Sequence, residues 1–295
     1  MGIPFKIILA HAPSATVSPP AGLSEADLLA HHPVLAGGFA VLFLLGLASD
    51  MFLLSQFVRR IRAREPILKL PVKPWGVIEL LLVVCILAVA FLIPALAAHL
   101  ALSVSLILQI VVQLALLAVL GVFLHRRHIN WRAAFGLDAP TARGAVALGV
   151  IFYLASLPPL ALVFLASNKI CQLLGVDTSI QEVADLIVTT KSPLVLTLVV
   201  SIALVVAPLF EEVFFRGFAY PALKQRWGTT RALLLVSGAF AGIHFYIPGL
   251  APLFVLALGF TLAYEYTGSL LAPITMHVLF NTTNLILLLY ARTQS

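Results

Sequence analysis

Long, continuous apolar runs dominate this chain, separated by short polar segments rich in Arg, Pro and Gly. Crossing the hydrocarbon of a bilayer takes about 20 apolar residues in a helix. Runs near that length lie at 33–57, 75–98, 101–124, 144–166, 193–220, 231–247, 250–267 and 269–290. The first four are clean; the last four hold more Gly, Pro and polar residues, and two are short. Helices tolerate such residues in a membrane when neighbours resatisfy the backbone. A membrane β-barrel would instead show short segments of alternating polarity. The pattern therefore predicts an all-α, polytopic transmembrane helical bundle of about eight spans.

Composition sharpens this. Of 295 residues, 61% are hydrophobic and only 10% charged, where an ordinary soluble domain has about 25% charged residues. Mean hydropathy is +1.09. An ordinary soluble protein is excluded, and so is a disordered chain, which needs low hydrophobicity and high charge. The net charge of +6 comes from three basic clusters. They are Arg59, Arg60, Arg62, Arg64, Lys69 and Lys73; Arg126, Arg127, Arg132 and Arg143; and Arg216, Lys224, Arg226 and Arg231. The positive-inside rule assigns all three to the cytoplasmic side. Eight spans then leave both termini outside. Positive charge is thereby explained by topology: the partners are membrane lipids, with no nucleic acid. The chain reads as an integral, multi-pass membrane protein, of the inner or plasma membrane if bacterial.

Residues 1–32 read as an extracytoplasmic tail, because Met1 to Ala10 is too short for a signal-peptide core and the first span can act as the insertion signal. Residues 33–142 hold three spans and basic loops. Residues 167–192 read as the one sizeable outer loop, with Pro193 suited to the first turn of the next helix. Cys85 sits in an apolar run and Cys171 in that loop, so no disulfide framework is expected. No internal repeat is visible, which disfavours an inverted-repeat transporter.

Ionisable residues within a membrane are candidates for function. Asp50 and Glu79 lie near span ends beside basic residues and read as interface anchors. Gln109 and Gln113 share a helix face and suit interhelical hydrogen bonds. Glu265 is compatible with a structural or a functional role. His99, His125 and His128 lie at span ends.

Glu211-Glu212-Val213-Phe214-Phe215-Arg216 is different. Three ionisable groups follow an apolar stretch, which implies a protein-lined or wet cavity. Glu212 and Arg216 are i and i+4 with the acid first, the favourable order for an ion pair. Glu211 points about 100° away around the helix and is the carboxylate left for chemistry. His244 follows four residues after Phe240, and the small residues Gly238 and Gly242 suggest close helix approach nearby. His277 and Asn281, at i and i+4, can donate hydrogen bonds from one face. At about 1.5 Å per residue, Glu211, His244, His277 and Asn281 lie roughly 10–20 Å from the cytoplasmic ends of their helices. They can converge on one pocket open to the cytoplasm.

A carboxylate, two imidazoles and an amide suit hydrolysis by an activated water. Glu211 would act as the base, His244 would position the water, and His277 and Asn281 would stabilise the oxyanion. No Ser or Cys is set beside these histidines as a nucleophile. Zinc held by Glu211, His244 and His277 is a competing chemistry, with Glu212 then the base; two His and a Glu form a known ligand set, but HExxH is missing. No cofactor is required in the metal-free reading. The same residues are also compatible with a proton-coupled carrier or with a non-catalytic immunity or binding protein.

The ordered triple EExxxR (Glu211–Arg216), FxxxH (Phe240–His244) and HxxxN (His277–Asn281) resembles the CAAX protease and bacteriocin-processing (CPBP, or Abi) family, over roughly 143–290. The resemblance implies a helical intramembrane endopeptidase similar to type II CAAX prenyl endopeptidase, with 143–295 as its catalytic core. It implies catalytic roles for Glu211, Glu212, Arg216, His244, His277 and Asn281. It implies a peptide or protein substrate, prenylated in some members or membrane-embedded, and a water-activating glutamate in a family long labelled metalloprotease.

Overall fold

The structure is a computed structural model that describes residues 33–65, 70, 73–96, 101–176 and 182–294. The expected tail at 1–32, Lys69 and His99 lie outside the described residues. Among the described residues every regular element is helical. In chain order these are α1 (Pro33–Arg62), α2 (Val77–Leu96), α3 (Leu102–Arg126), the short α4 (Trp131–Phe135), α5 (Ala139–Leu173) and α6 (Glu182–Thr189). A long composite helix α7 (Pro193–Trp227) follows, then α8 (Thr229–Gly242), α9 (Leu250–Thr267) and α10 (Leu271–Gln294).

Six of these helices are long and apolar enough to cross a membrane. Helix α2 (Val77–Leu96) is apolar over its 20 residues apart from Glu79. One expected span is shorter. Helix α8 has 14 residues, about 21 Å at 1.5 Å per residue, short of a hydrocarbon core of about 30 Å. Its ends are set locally: Gly228 precedes it with φ +80, and Phe245 just beyond it has φ +49. The outer loop expected at 167–192 is largely helical instead. Helix α5 continues to Leu173, carrying Cys171 buried within it, and α6 occupies Glu182–Thr189.

Helix α5 is the spine, packing against α1, α9 and α10. Close approach is made by glycines that lack a Cβ. A Cβ on Gly149 would sit 2.6 Å from the Ala272 carbonyl oxygen of α10, and one on Gly46 would sit 2.7 Å from the Leu154 carbonyl oxygen of α5. The expected glycine contact on α8 is not made. Gly238 and Gly242 lie on its exposed face, where a Cβ would meet nothing within 4 Å. Phe57 of α1 and Phe152 of α5 close on Tyr266 of α9, with ring centroids 5.5 and 5.6 Å away. Tyr153 and Thr283 join α5 to α10 through a 2.6 Å hydroxyl pair.

Leu70, Lys73 and Trp75, described residues between α1 and α2, are fastened to the core. Trp75 stacks on Phe218 at 5.5 Å and donates its indole N–H to the Phe218 carbonyl at 3.1 Å. Lys73 donates to the Ala134 carbonyl. Glu265, fully buried, accepts from Tyr220 at 2.6 Å, from Lys224 and from the Leu70 amide at 3.4 Å. These bonds tie α9 to α7 and to Leu70. Glu79 accepts from the Gly76 amide and from Arg127 at 3.2 Å, as an interface anchor does. The expected interhelical bonds of Gln109 and Gln113 are not seen at their side-chain oxygens, which are buried without partners.

Candidate active site

Helix α7 carries the acidic pair, and its backbone is unusual. Ser192 caps it, accepting from the Val195 amide, and Pro193 opens its first turn as expected of both residue types. Two π-helical stretches, Ile202–Val206 and Val213–Ala219, then bracket the α-helical turn Ala207–Glu212. Each stretch is followed within two residues by a proline, Pro208 and Pro221. Proline lacks the N–H and crowds the preceding turn, and a widened turn is one way to absorb it. The Ala207 amide bonds to the Ile202 carbonyl, five residues back. In that register the Ala203 carbonyl would face Pro208, which has no proton to give. Asn281 Nδ2 donates to this carbonyl at 2.7 Å. One amide proton of Asn281 is thus committed to the orphan carbonyl and one is left over.

Glu212 lies at the centre of a buried charge cluster. Its Oε1 accepts from Arg216 Nη1 at 3.0 Å and from His277 Nδ1 at 2.8 Å. A carboxylate only accepts, so Nδ1 of His277 carries the proton. Both Glu212 and Arg216 are 0% exposed. A buried ion pair holds when its remaining protons and lone pairs are satisfied. Oε2 of Glu212 is buried without a partner, while Arg216 meets that condition. Nη2 donates to the Ala257 carbonyl at 3.1 Å, and Nε donates to Thr261 Oγ1 at 3.4 Å. Its guanidinium also lies 4.6 Å from the Phe240 ring and 5.0 Å from the Phe260 ring. The expected Glu212–Arg216 pair is present; the link to His277 and the Thr261 contact go beyond what spacing along α7 predicts. Ala257, Thr261 and Glu265 are four apart on α9 and meet Arg216, Tyr220 and Lys224, four apart on α7. Matching polar residues at that spacing are the signal that could have found these contacts.

Glu211, the neighbouring carboxylate, stands apart as expected. Its Oε2 is buried without a hydrogen-bond partner and lies 3.9 Å from His277 Nε2, beyond hydrogen-bond range. His277 therefore presents one nitrogen to each carboxylate. Its ring stacks on Phe260 at 5.0 Å, tilted 24°, which fixes its plane.

His244 lies just past the end of α8 rather than within a span, following the C-cap Ile243. Its Nδ1 donates to the Phe240 carbonyl at 2.6 Å, since a carbonyl can only accept. That leaves Nε2 as the free nitrogen. Phe240 touches both imidazoles, with ring centroids 4.8 Å from His244 and 5.9 Å from His277. Glu211, Glu212, Arg216 and His277 are thus gathered directly, and His244 joins them across Phe240. Asn281 sits one turn beyond His277, held on Ala203.

Among the described residues no three His, Cys, Asp or Glu side chains form a group that could hold a metal ion.

Beside Glu211, Phe210, Val213 and Phe214 of α7 line a cavity of ≈170 Å³ with residues of α2 and α3. Its walls are apolar apart from Glu79, and include Val83, Leu87, Leu117 and Leu120.

Residues 193–283 match a family model described as Rce1-like: Type II CAAX prenyl endopeptidase Rce1-like. The matched segment runs from the first residue of α7 to two residues past Asn281 and contains all six candidate residues. Comparison with curated proteins and with solved structures returned no match.

Proposed function

We propose a mechanism from the premise that this multi-pass membrane protein belongs, through residues 193–283, to the Rce1-like family of type II CAAX prenyl endopeptidases, peptide hydrolases of the membrane. Glu211 is the general base and the reaction needs no metal. The observation that carries this is a division of labour between adjacent carboxylates. Oε2 of both glutamates is buried without a hydrogen-bond partner, but Glu212 is neutralised by Arg216 and bonded to His277 through Oε1, while Glu211 has only the 3.9 Å approach of His277 Nε2. A base must have a free lone pair within reach of the proton it takes.

The reaction begins with a water whose hydrogens are accepted by Glu211 and by Nε2 of His244. Glu211 takes one proton as the water oxygen bonds to the scissile carbonyl carbon. The carbonyl oxygen becomes an oxyanion. His277, held at Nδ1 by Glu212 and protonated on both nitrogens, donates from Nε2 to that oxyanion, with the remaining Asn281 amide proton as a second donor. Collapse breaks the C–N bond, and Glu211 returns its proton to the leaving amine. In this scheme Glu212 and Arg216 act through His277: they fix its tautomer, its position and its capacity to carry charge.

The substrate is a peptide or protein that ends in a C-a-a-X sequence whose Cys carries an isoprenoid. The apolar cavity beside Glu211 suits the isoprenoid. On a helix of about 100° per residue, Glu211 lies on the flank between the cavity-lining Phe210 and Phe214 and the His277 side. The basic ends of the helices orient the site toward the cytoplasm.

The test is cleavage of an internally quenched, farnesylated Cys-aliphatic-aliphatic-X peptide by the purified full chain. Cleavage after the prenylated Cys, unaffected by chelator and with no stoichiometric zinc, is expected. Stoichiometric zinc with loss of cleavage on chelation would overturn the metal-free mechanism. Equal cleavage of the unprenylated peptide would remove the isoprenoid from the substrate class.

A further inference from the structure

Arg127 stands at the polar end of the cavity beside Glu211. There its Nη2 pairs with Glu79 at 3.2 Å, and Glu79 is part of the cavity lining. The guanidinium also lies 5.4 Å from the ring of Phe123, another lining residue. The Arg127 side chain is 54% exposed, and among the described residues its Nε and Nη1 have no partner. The second oxygen of Glu79 holds the Gly76 amide. Glu79 thus fixes one edge of the guanidinium and leaves the rest of the fork open at the mouth. Arg126, next in the chain, leaves this end with net positive charge.

Helix register gives the distance from this mouth to the chemistry. Leu106 of α3 shares a cluster with Val199 and Ile202 of α7, and Phe123 meets Phe218 at 6.0 Å, so the two helices run in the same direction. Trp75, just before α2, stacks on the same Phe218. Glu79 is four residues further along, and from there α2 lines the cavity opposite Phe210 and Phe214. Glu79 is therefore level with about Phe214, roughly 5 Å along the axis from Glu211. Neighbouring helix axes are about 8–10 Å apart. Together these put the guanidinium on the order of 10 Å from a carbonyl held at Glu211. Three extended residues span about 10–11 Å. In a C-a-a-X substrate three residues follow the Cys, and the last ends in a carboxylate.

We propose that Arg127 binds the terminal carboxylate of the substrate at this mouth. The inference rests on the C-a-a-X reading and deepens it: the site measures the length of peptide beyond the prenylated Cys. Charge-assisted bonds from a guanidinium to a carboxylate are strong and directional, and Arg127 keeps unused donors for them. The isoprenoid takes the apolar depth of the cavity toward Leu87 and Leu117, which leaves the Glu79 end to the peptide. Arg127 touches no reacting atom; it sets specificity.

Binding of a labelled, farnesylated C-a-a-X peptide to the full chain carrying Glu211→Gln, followed by fluorescence anisotropy, tests this without requiring turnover. The free acid should bind about tenfold or more tightly than the same peptide with a C-terminal amide, the factor expected of one hydrogen bond between charged groups. Adding Arg127→Gln should erase that preference while binding of the amide stays unchanged, which shows the variant to be folded. Arg127→Lys should restore part of the preference, and Arg126→Gln should leave it intact. Glu79→Gln keeps an acceptor for Arg127 and removes the competing charge, so the preference should persist or grow. Equal binding of acid and amide before Arg127 is changed would overturn the carboxylate site and leave the C-a-a-X reading standing. So would a preference that survives Arg127→Gln, or one lost equally in Glu79→Gln, which would mark the pair as a clasp between α2 and α3. Binding of neither peptide would overturn the C-a-a-X reading and this inference with it.

Discussion

In α1 and α3, 17% and 22% of the most apolar stretch is buried within the protein; in α7 and α9 the shares are 33% and 44%. The first pair turns leucines and valines outward, as Leu44, Leu54, Val111 and Val119 do. The second pair encloses charge: Glu211, Glu212, Arg216 and Glu265 are all buried there. Helices α3 and α7, with the same mean hydropathy of 2.6, thus serve opposite purposes. One set is solvated by lipid and supports; the other is solvated by its own side chains and can hold ions within the bilayer. Isolated charges in hydrocarbon cost several kcal/mol, so the second set depends on its pairings. Arg216 has Glu212, Thr261 and the Ala257 carbonyl; Glu265 has Tyr220, Lys224 and the Leu70 amide.

If that contrast is sound, substitutions should separate by region. Glu212→Gln leaves Arg216 buried without its counter-ion and should cost about 3–5 kcal/mol, read by denaturant unfolding in micelles. A cost under about 1 kcal/mol would mean that water reaches the cluster. Trp75→Ala removes a fully packed ring and the Phe218 bond that ties the first region to the second. It should cost about 3–5 kcal/mol if the packing is as tight as in a soluble core, measured in the same way.

Smaller effects sharpen the boundary. Gly149→Ala drives a Cβ into the α10 backbone and should cost about 1–3 kcal/mol. Gly238→Ala, on the open face of α8, should be neutral or stabilising by up to about 1 kcal/mol. Equal effects at the two sites would contradict the helix contacts of α5 and α8. The smallest expected signal is a pH dependence. Burial of Lys73 lowers its ammonium pKa below the usual 10.5. The unfolded chain then binds more protons than the folded one as pH rises from the lowered value toward 10.5, so folding should strengthen over that window. Thermal midpoints of the unmodified chain should rise there relative to Lys73→Met; parallel curves would place Lys73 in water.

Much of this is legible in the sequence because membrane burial depends on composition over long windows. The helical class, the Glu212–Arg216 pair and the isolation of Glu211 follow from runs and spacing alone. Other features depend on local backbone chemistry that periodicity does not report. The two π-helical stretches reflect where Pro208 and Pro221 deny protons to carbonyls upstream. Spacing marks Asn281 only as an oxyanion donor, because the orphan Ala203 carbonyl leaves no trace in it. Hydropathy continues past Gly242 and so puts His244 inside a span, whereas the chain turns at Phe245. The use of both ring nitrogens of His277, one toward each glutamate, is a tertiary fact with no signature along a single helix.

The central claim is that two adjacent carboxylates divide the work, with Glu211 as the base and Glu212 as the support of His277. The most direct measurement is the turnover of the farnesylated peptide by Glu211→Gln and Glu212→Gln, with KM and kcat resolved. Glu211→Gln should lower kcat by about 10²–10⁴-fold with KM nearly unchanged, and the variant should unfold at the same denaturant concentration as the unmodified chain. Glu212→Gln should lose stability as well as rate. A Glu211→Gln enzyme that turns over as fast as the original would contradict the account.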